Sequence, residues 1–417
     1  MSIRMKLLCL SNGHGEDAIA LRILQALQQH PNHPKLAALP IVGEGHAYAQ
    51  AGIPLIGQTR QMPSGGFIYM DGKQLARDLK GGLLQLTLAQ LKVVKDWART
   101  GGSILAVGDI VPLLFAWWSG APYAFVGTAK SEYYLRDEAG WLPRPSWFEQ
   151  LEGWSGSVYL PWERWLMSRR RCKAVFPRDS LTTAVLSKWA IAAHDLGNPM
   201  MDGLEPKGMQ LHASEAEFEA ERPLTLVLLP GSRVPEAYQN WQHILQAVRG
   251  VLTLFRRRKV LFLGAIAPSL ELPPLQQALE AQGWRQPPAA PDCKFVQHSG
   301  TLILTQSAFE DCLHQADFAI AMSGTATEQF VGLGKPALVL PGEGPQFTPA
   351  FAEAQTRLLG PSAILVKQPN KVAEVIDSLL QDPDRLQLIN ENGRRHMGQP
   401  GAAQRIARVL LEVMGNG

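Results

Sequence analysis

The 417-residue chain is 46% apolar and 18% charged, which makes it globular and long enough for two domains with cores of their own. A net charge of +3 excludes nucleic acid as a partner suited by bulk charge, so any basic role must come from a local patch. Four scattered cysteines (Cys9, Cys172, Cys293, Cys312) lack metal-site spacing and read as buried thiols in a reducing compartment.

Residues 1–10 form a short basic and apolar run without a cleavage signal, and no apolar run reaches the ~20 residues of a membrane span. The expectation is a cytoplasmic protein whose membrane contact is peripheral, at the inner face of the cytoplasmic membrane. Residues 6–10 have the continuous apolar character of a buried parallel strand. Asn12-Gly13-His14-Gly15-Glu16-Asp17 follows, then a helix with apolar residues at Ile19, Leu21, Ile23, Leu24 and Leu27. With only two glycines the dinucleotide fingerprint is incomplete. The acidic pair suits a helix start and disfavours phosphate. Gly13, Gly15 and Glu16 are therefore expected to line a cleft on an acceptor side; a plain turn with a capping carboxylate is the alternative.

A second strand is expected at 35–42, a short third at 52–56 and a helix at 75–97. Residues 103–107 read as another buried strand, ending in Gly108-Asp109. An aspartate at the carboxyl end of a central strand is a natural general base. It is equally an N-cap, with Pro112 in the first helical turn, and the two roles are compatible. The sheet continues at 122–126. Seven of the eleven tryptophans then fall between Trp117 and Trp165, before Arg169-Arg170-Arg171. Tryptophan with arginine suits a membrane interface; an aromatic core with a solvated basic helix face is the alternative. Residues 173–176 form the last strand of this half.

The second half opens with a strand at 224–229, Pro230-Gly231-Ser232-Arg233 and a helix at 236–255. A strand at 260–264, a helix at 272–282, short strands around Phe295 and 302–304, and a helix at 307–314 follow. The centre of the pattern is 319–346. Here a strand ends in Ser323-Gly324-Thr325, a helix carries Glu328 in its first turn, and a second strand delivers Pro341-Gly342-Glu343-Gly344-Pro345-Gln346 to the same edge. Loops at the carboxyl ends of neighbouring strands are where open α/β sheets bind nucleotides. An ordinary βαβ unit is the plainer reading. A strand at 363–366, a helix at 371–380 and two more helices complete the chain. The alternation predicts two doubly wound α/β domains facing a cleft: 1–203, a polar linker at 204–223, and 224–396, followed by a closing helix in 397–417.

Leu229-Pro230-Gly231-Ser232-Arg233 with Glu236, Ser323-Gly324-Thr325-Ala326-Thr327-Glu328, and Leu196-Gly197-Asn198-Pro199 resemble lipid-A-disaccharide synthase, an inverting glycosyltransferase of the GT-B fold. The pair Glu328 and Gln346 is also similar to that of the peptidoglycan glucosaminyltransferase and plant-type galactolipid synthases. The resemblance implies a UDP-sugar donor, with Gly231, Ser232, Arg233, Ser323, Gly324 and Thr325 at the diphosphate, Glu328 at the ribose and Gln346 at the sugar or phosphate. It implies Asp109 or His14 as base, the latter in the place of a histidine of those relatives, and a helix in 397–417 that crosses back to brace the first domain. A lipid-like acceptor would need a docking surface, for which Trp141, Trp147 and Trp154 with Arg169, Arg170 and Arg171 are the candidates. No cofactor and no metal are expected, because Asp382-Pro383-Asp384 reads as a helix start. A UDP-sugar 2-epimerase or hydrolase, or a non-catalytic binding protein for a nucleotide sugar or lipid, are the competing readings.

Overall fold

The computed structural model describes residues 5–31, 33–59, 83–143, 153–211, 222–288, 293–344 and 347–415. Contacts divide the chain into two compact units, Met1–Asp202 with Gly398–Gly417, and Gly203–Met397.

The first unit runs β1 (Lys6–Ser11), α1 (His14–Gln28), β2 (Lys35–Pro40), α2 (His46–Gln50), α3 (Leu83–Arg99), β3 (Ser103–Gly108), α4 (Ile110–Ser119), β4 (Tyr123–Gly127), α5 (Pro161–Met167), β5 (Cys172–Phe176) and α6 (Ser180–Leu186). Its strands are all parallel, in the order β2-β1-β3-β4-β5. Leu7, Leu8, Cys9 and Leu10 are all buried, as are Ile104, Leu105, Ala106 and Val107, because a parallel sheet is covered on both faces. The chain leaves β1 for β2 on one side and returns as β3 on the other. The carboxyl ends of β1 and β3 therefore form the topological switch point, where such sheets open a crevice. The expected third strand at 52–56 is not formed. Ala38 and Leu55 make an isolated parallel bridge, and Pro54 has no N–H with which to extend it. The helix expected from residue 75 is described from Leu83 onward.

The second unit runs β6 (Leu224–Leu229), α7 (Glu236–Leu254), β7 (Val260–Ala265), α8 (Leu272–Ala281), β8 (Lys294–Gln297), β9 (Gly300–Thr305), α9 (Phe309–Gln315), β10 (Phe318–Ala321), α10 (Thr325–Gly332), β11 (Ala337–Val339), α11 (Pro349–Leu359), β12 (Ala363–Leu365), α12 (Val372–Leu380) and α13 (Pro383–Met397). The order is β12-β11-β10-β6-β7-β9-β8, parallel except for β8, which closes the edge as an antiparallel partner of β9. The switch point lies between β6 and β10. Trp241 fills the core under β7 and satisfies its indole N–H on Leu275 O at 3.2 Å. Asp382 accepts the Arg385 N–H at 3.0 Å and so caps α13.

A last helix, α14 (Ala402–Gly415), belongs to the first unit and packs on α1 through buried Ala403, Ile406, Ala407 and Leu410. The Asp202 carboxylate accepts the N–H groups of Gly401, Ala402 and Ala403 at 2.5, 3.1 and 2.7 Å, which satisfies the amides at the start of this helix. The segment expected as a linker is held along α9 in its first part. Gly208 N donates to Asp311 Oδ1 at 2.9 Å, and His314 Nε2 meets Leu204 O at 2.8 Å. Residues 212–221 lie outside the described residues.

Candidate functional site

In the second unit the residues after β6 and β10 are stitched together. Asn240, one turn into α7 and buried, donates from Nδ2 to Pro230 O at 3.0 Å and to Met322 O at 3.4 Å. Gly231 adopts φ +94, and a Cβ there would lie 3.3 Å from Met322 O, so the turn needs glycine to pass this close to β10. Ser232 and Arg233 follow on the rim, Ser232 exposed and Arg233 half-buried. On the neighbouring strand Gly324 begins α10 without a side-chain cap. Amides at the start of that helix are therefore open to an anion or to water. Gln355 fixes the turn from below, donating to Ser323 O and Gly324 O at 3.1 Å each, and Thr327 Oγ1 donates to Ser323 O at 2.6 Å. Glu328 is buried in the first turn of α10, where a carboxylate is favoured by the helix dipole. The loop after β11 reaches the same edge. Its Phe347 N–H donates to Glu236 Oε1 at 2.7 Å, and Gly342 N–H bonds to Phe347 O at 3.1 Å. Gln346 lies outside the described residues. The structure thus brings Gly231, Ser323 and Gly324 together around one switch point, with Arg233, Thr325 and Glu328 on the same edge. Asn240 and Gln355, which organise them, carry no motif that sequence reading would single out.

The switch point of the first unit has different chemistry. Gly13, at φ +133, turns the chain from β1 into α1, and Gly108, at φ +130, does the same from β3 toward α4. A Cβ on Gly108 would lie 3.2 Å from Glu16 Cγ and 3.7 Å from Asn12 Cβ, so the two turns are in contact. Asp109 is the N-cap of α4, its Oδ1 accepting from Val111 N at 2.8 Å. Its Oδ2 accepts from Asn12 Nδ2 at 2.9 Å. Burial raises the Asp109 carboxyl above the usual range, and these two hydrogen bonds oppose the rise. Burial raises Glu16 to about 7, with the Asp109 and Asp17 carboxylates adding to it against the helix amide at Glu16 and a hydrogen bond from Thr128. Asp17 is engaged elsewhere, accepting from Ser11 Oγ at 2.5 Å while Tyr48 donates to Ser11 at 2.7 Å. A Cβ on Gly15 would meet nothing within 4 Å. The His14 side chain lies outside the described residues.

The aromatic segment resolves into two parts. Trp141 and Trp154 are exposed, the former with Arg136 stacked 3.9 Å over its ring, and Trp147 lies outside the described residues. A second exposed apolar face lies on α4 and α5. Leu114 and Trp118, four residues apart, are 44% and 57% exposed, and Trp162 and Trp165, three apart, are 51% and 44% exposed. Half-buried Trp117 joins the two helices, its ring 6.3 Å from Trp118 and 5.4 Å from Trp165. Arg169 stacks 4.4 Å over Trp165, and Arg170 is exposed beside it. Arg171 is not part of a free basic edge, since it is half-buried and donates to Trp117 O at 3.1 Å to tie the helices. Spacing hints at Leu114, Trp118, Trp162 and Trp165, but α4 is apolar on all sides and gives no period from which to choose its outer face. Among the described residues no helix is long and apolar enough to cross a membrane.

No family model matches the chain. The lipid-A-disaccharide synthase of Syntrophus aciditrophicus (strain SB) is 26% identical over 244 residues, which is 52% of this chain and 57% of that protein. The match therefore spans little more than half of that relative's length. Among solved structures, MurG of Acinetobacter baumannii has a TM-score of 0.56 at 14% identity, covering 98% of this chain and 99% of its own. The UDP-GlcNAc 2-epimerase of Neisseria meningitidis, bound to UDP-GlcNAc, has 0.54 at 14% identity, covering 98% and 100%. The chain has the GT-B fold, and over about half its length it is similar in sequence to lipid-A-disaccharide synthase. Transferases and epimerases share this fold, so only the side chains at the two switch points discriminate between activities.

Proposed function

We propose that the chain is an inverting glycosyltransferase that moves a hexosyl or N-acetylhexosaminyl group from a UDP-sugar to a hydroxyl of a lipid-like acceptor, with no metal ion. In this transfer the acceptor oxygen loses its proton and bonds to the anomeric carbon. The bond from that carbon to the diphosphate breaks, and its electron pair leaves with UDP. The reaction needs a base for the proton and positive potential for the leaving diphosphate.

The observation that carries the donor half is the pair of turns held side by side by Asn240 at the switch point of the second sheet. Their amides, with the Arg233 guanidinium, supply positive potential without a cation from solution. Glu328, one turn into α10, would accept the ribose hydroxyls, and Gln346 would meet the sugar or phosphate. UDP-GlcNAc is the molecule bound in the Neisseria epimerase and so a reasonable first donor to try. The acceptor half is supported by the acidic turns at the first switch point. The exposed face of α4 and α5, ringed by Arg169 and Arg170, supports an acceptor that lies in a membrane surface.

Calorimetry with UDP tests the donor half: the parent chain binds, and Glu328→Ala loses the affinity. Equal affinity in the two would reject the ribose role. Incubation with UDP-GlcNAc alone tests the class of reaction, because a 2-epimer formed without any acceptor would replace the transferase with an epimerase.

A further inference from the structure

The first switch point holds two carboxylates, and their surroundings assign them different work. Both oxygens of Asp109 are taken, Oδ1 by the Val111 amide and Oδ2 by the Asn12 side chain. Each bond commits one lone pair to holding the helix start or the Asn12 amide, and a proton placed on either oxygen would weaken that hold. Because Asp109 accepts, Asn12 must turn its NH₂ toward it. Asn12 is 4% exposed, and its Oδ1 is left buried without a donor. Thr128, just after β4, bonds through its side chain to the Glu16 carboxyl. A buried, unsatisfied amide oxygen beside a half-buried carboxyl is a poor arrangement for a folded chain alone, and a good one for a ligand carrying hydroxyls.

We infer that Glu16 is the general base that takes the proton of the acceptor hydroxyl, that Thr128 orients its carboxylate, that Asn12 Oδ1 accepts from an adjacent hydroxyl, and that Asp109 is a positioning residue acting through Asn12. The acceptor is then an amphiphile with neighbouring hydroxyls, such as a glycoside or glycerol headgroup. The assignment rests on the transfer reading above. The proton moves from the acceptor oxygen to Glu16 as that oxygen bonds to the anomeric carbon, and the diphosphate leaves with the electron pair of the broken bond.

The burial that raises Glu16 to about 7 also suits a base working near neutral pH. The charged groups around it are Asp17 on its own helix and Asp109 across the turn. Beyond Asp109 stand Lys130 and Glu163, paired with each other at 2.5 Å.

The test measures UDP release from UDP-GlcNAc with octyl glucoside as acceptor, between about pH 5 and about pH 9. Glu16→Gln should lower the rate by ~10²–10⁴-fold and abolish the acidic limb, with UDP affinity and melting profile at acidic pH unchanged. His14→Ala should keep the limb. Asp109→Asn should keep it too while raising KM for octyl glucoside, and n-octanol, which has one hydroxyl, should be the poorer acceptor. A Glu16→Gln variant as fast as the parent, or a limb lost in His14→Ala and retained in Glu16→Gln, overturns the assignment and leaves the transferase standing. A parent that binds UDP yet releases none from UDP-GlcNAc overturns the transfer and this base together.

Discussion

The two switch points share a topology and differ in what their turns carry. In each, a strand near the middle of a parallel sheet ends in a glycine at positive φ, Gly13 in one and Gly231 in the other, and meets the end of the strand across the switch. At the first, the meeting brings Glu16 and Asp109 together with Asn12 and Thr128. At the second it brings together main-chain amides, Asn240 and the strand end before Glu328, with Arg233 on the rim. Backbone geometry makes the crevice, and side chains decide whether it handles a proton or an anion.

The largest effect expected from breaking this contrast is at Glu16. In the folded chain its carboxyl is raised from the ordinary 4.5 to about 7, so the unfolded chain gives up that proton first as pH rises. Stability tied to this group is thus full below about pH 4.5 and lost on passing through about pH 7. Glu16→Gln should remove that loss, opening a gap in urea-unfolding free energy toward about 3 kcal/mol at pH 8 and closing it near pH 4. A gap that does not change with pH would mean that the carboxyl is not buried in the way described.

Next in size is Arg233→Ala. Losing one charge-assisted contact to a diphosphate should weaken UDP binding by about 10–100-fold in calorimetry, while Arg233→Lys should recover part of it. No change in either would leave the amides alone to hold the anion. Asn240→Ala should cost about 1–3 kcal/mol in urea unfolding, because the Pro230 and Met322 carbonyls lose a shared donor. It should also weaken UDP binding, which separates a stitching role from a merely local one. The smallest effect concerns the exposed face. Trp118→Ser with Arg170→Glu should reduce co-sedimentation with anionic vesicles several-fold at low salt and leave the melting temperature within a degree or so. Equal pelleting of variant and parent would remove this face from membrane contact.

Much of this contrast was legible in the sequence. Buried parallel strands read as unbroken apolar runs, so residues 6–10, 103–107 and 224–229 marked both sheets to within a residue of their ends. Pro112 after Asp109 announced the cap that the structure shows. Residues 52–56 misled because their apolar run outweighed Pro54, which allows a bridge and no ladder. Asn240, Gln355 and Thr128 were invisible as site residues, since each acts on a turn far away in sequence. Burial of individual tryptophans could not be read either. Seven crowded rings say that an aromatic surface exists, and only the packing of α4 on α5 shows that Trp118, Trp162 and Trp165 are exposed as well as Trp141 and Trp154.

The socket that Asp202 offers to Gly401, Ala402 and Ala403 bears on how the chain is made. Residues 203–397 form an uninterrupted unit and can mature as soon as they clear the ribosome, whereas the sheet synthesised first must wait for residues 398–415 before its last helix docks. The earlier-born half is therefore the later to finish, and during translation it is the one that would call on a chaperone.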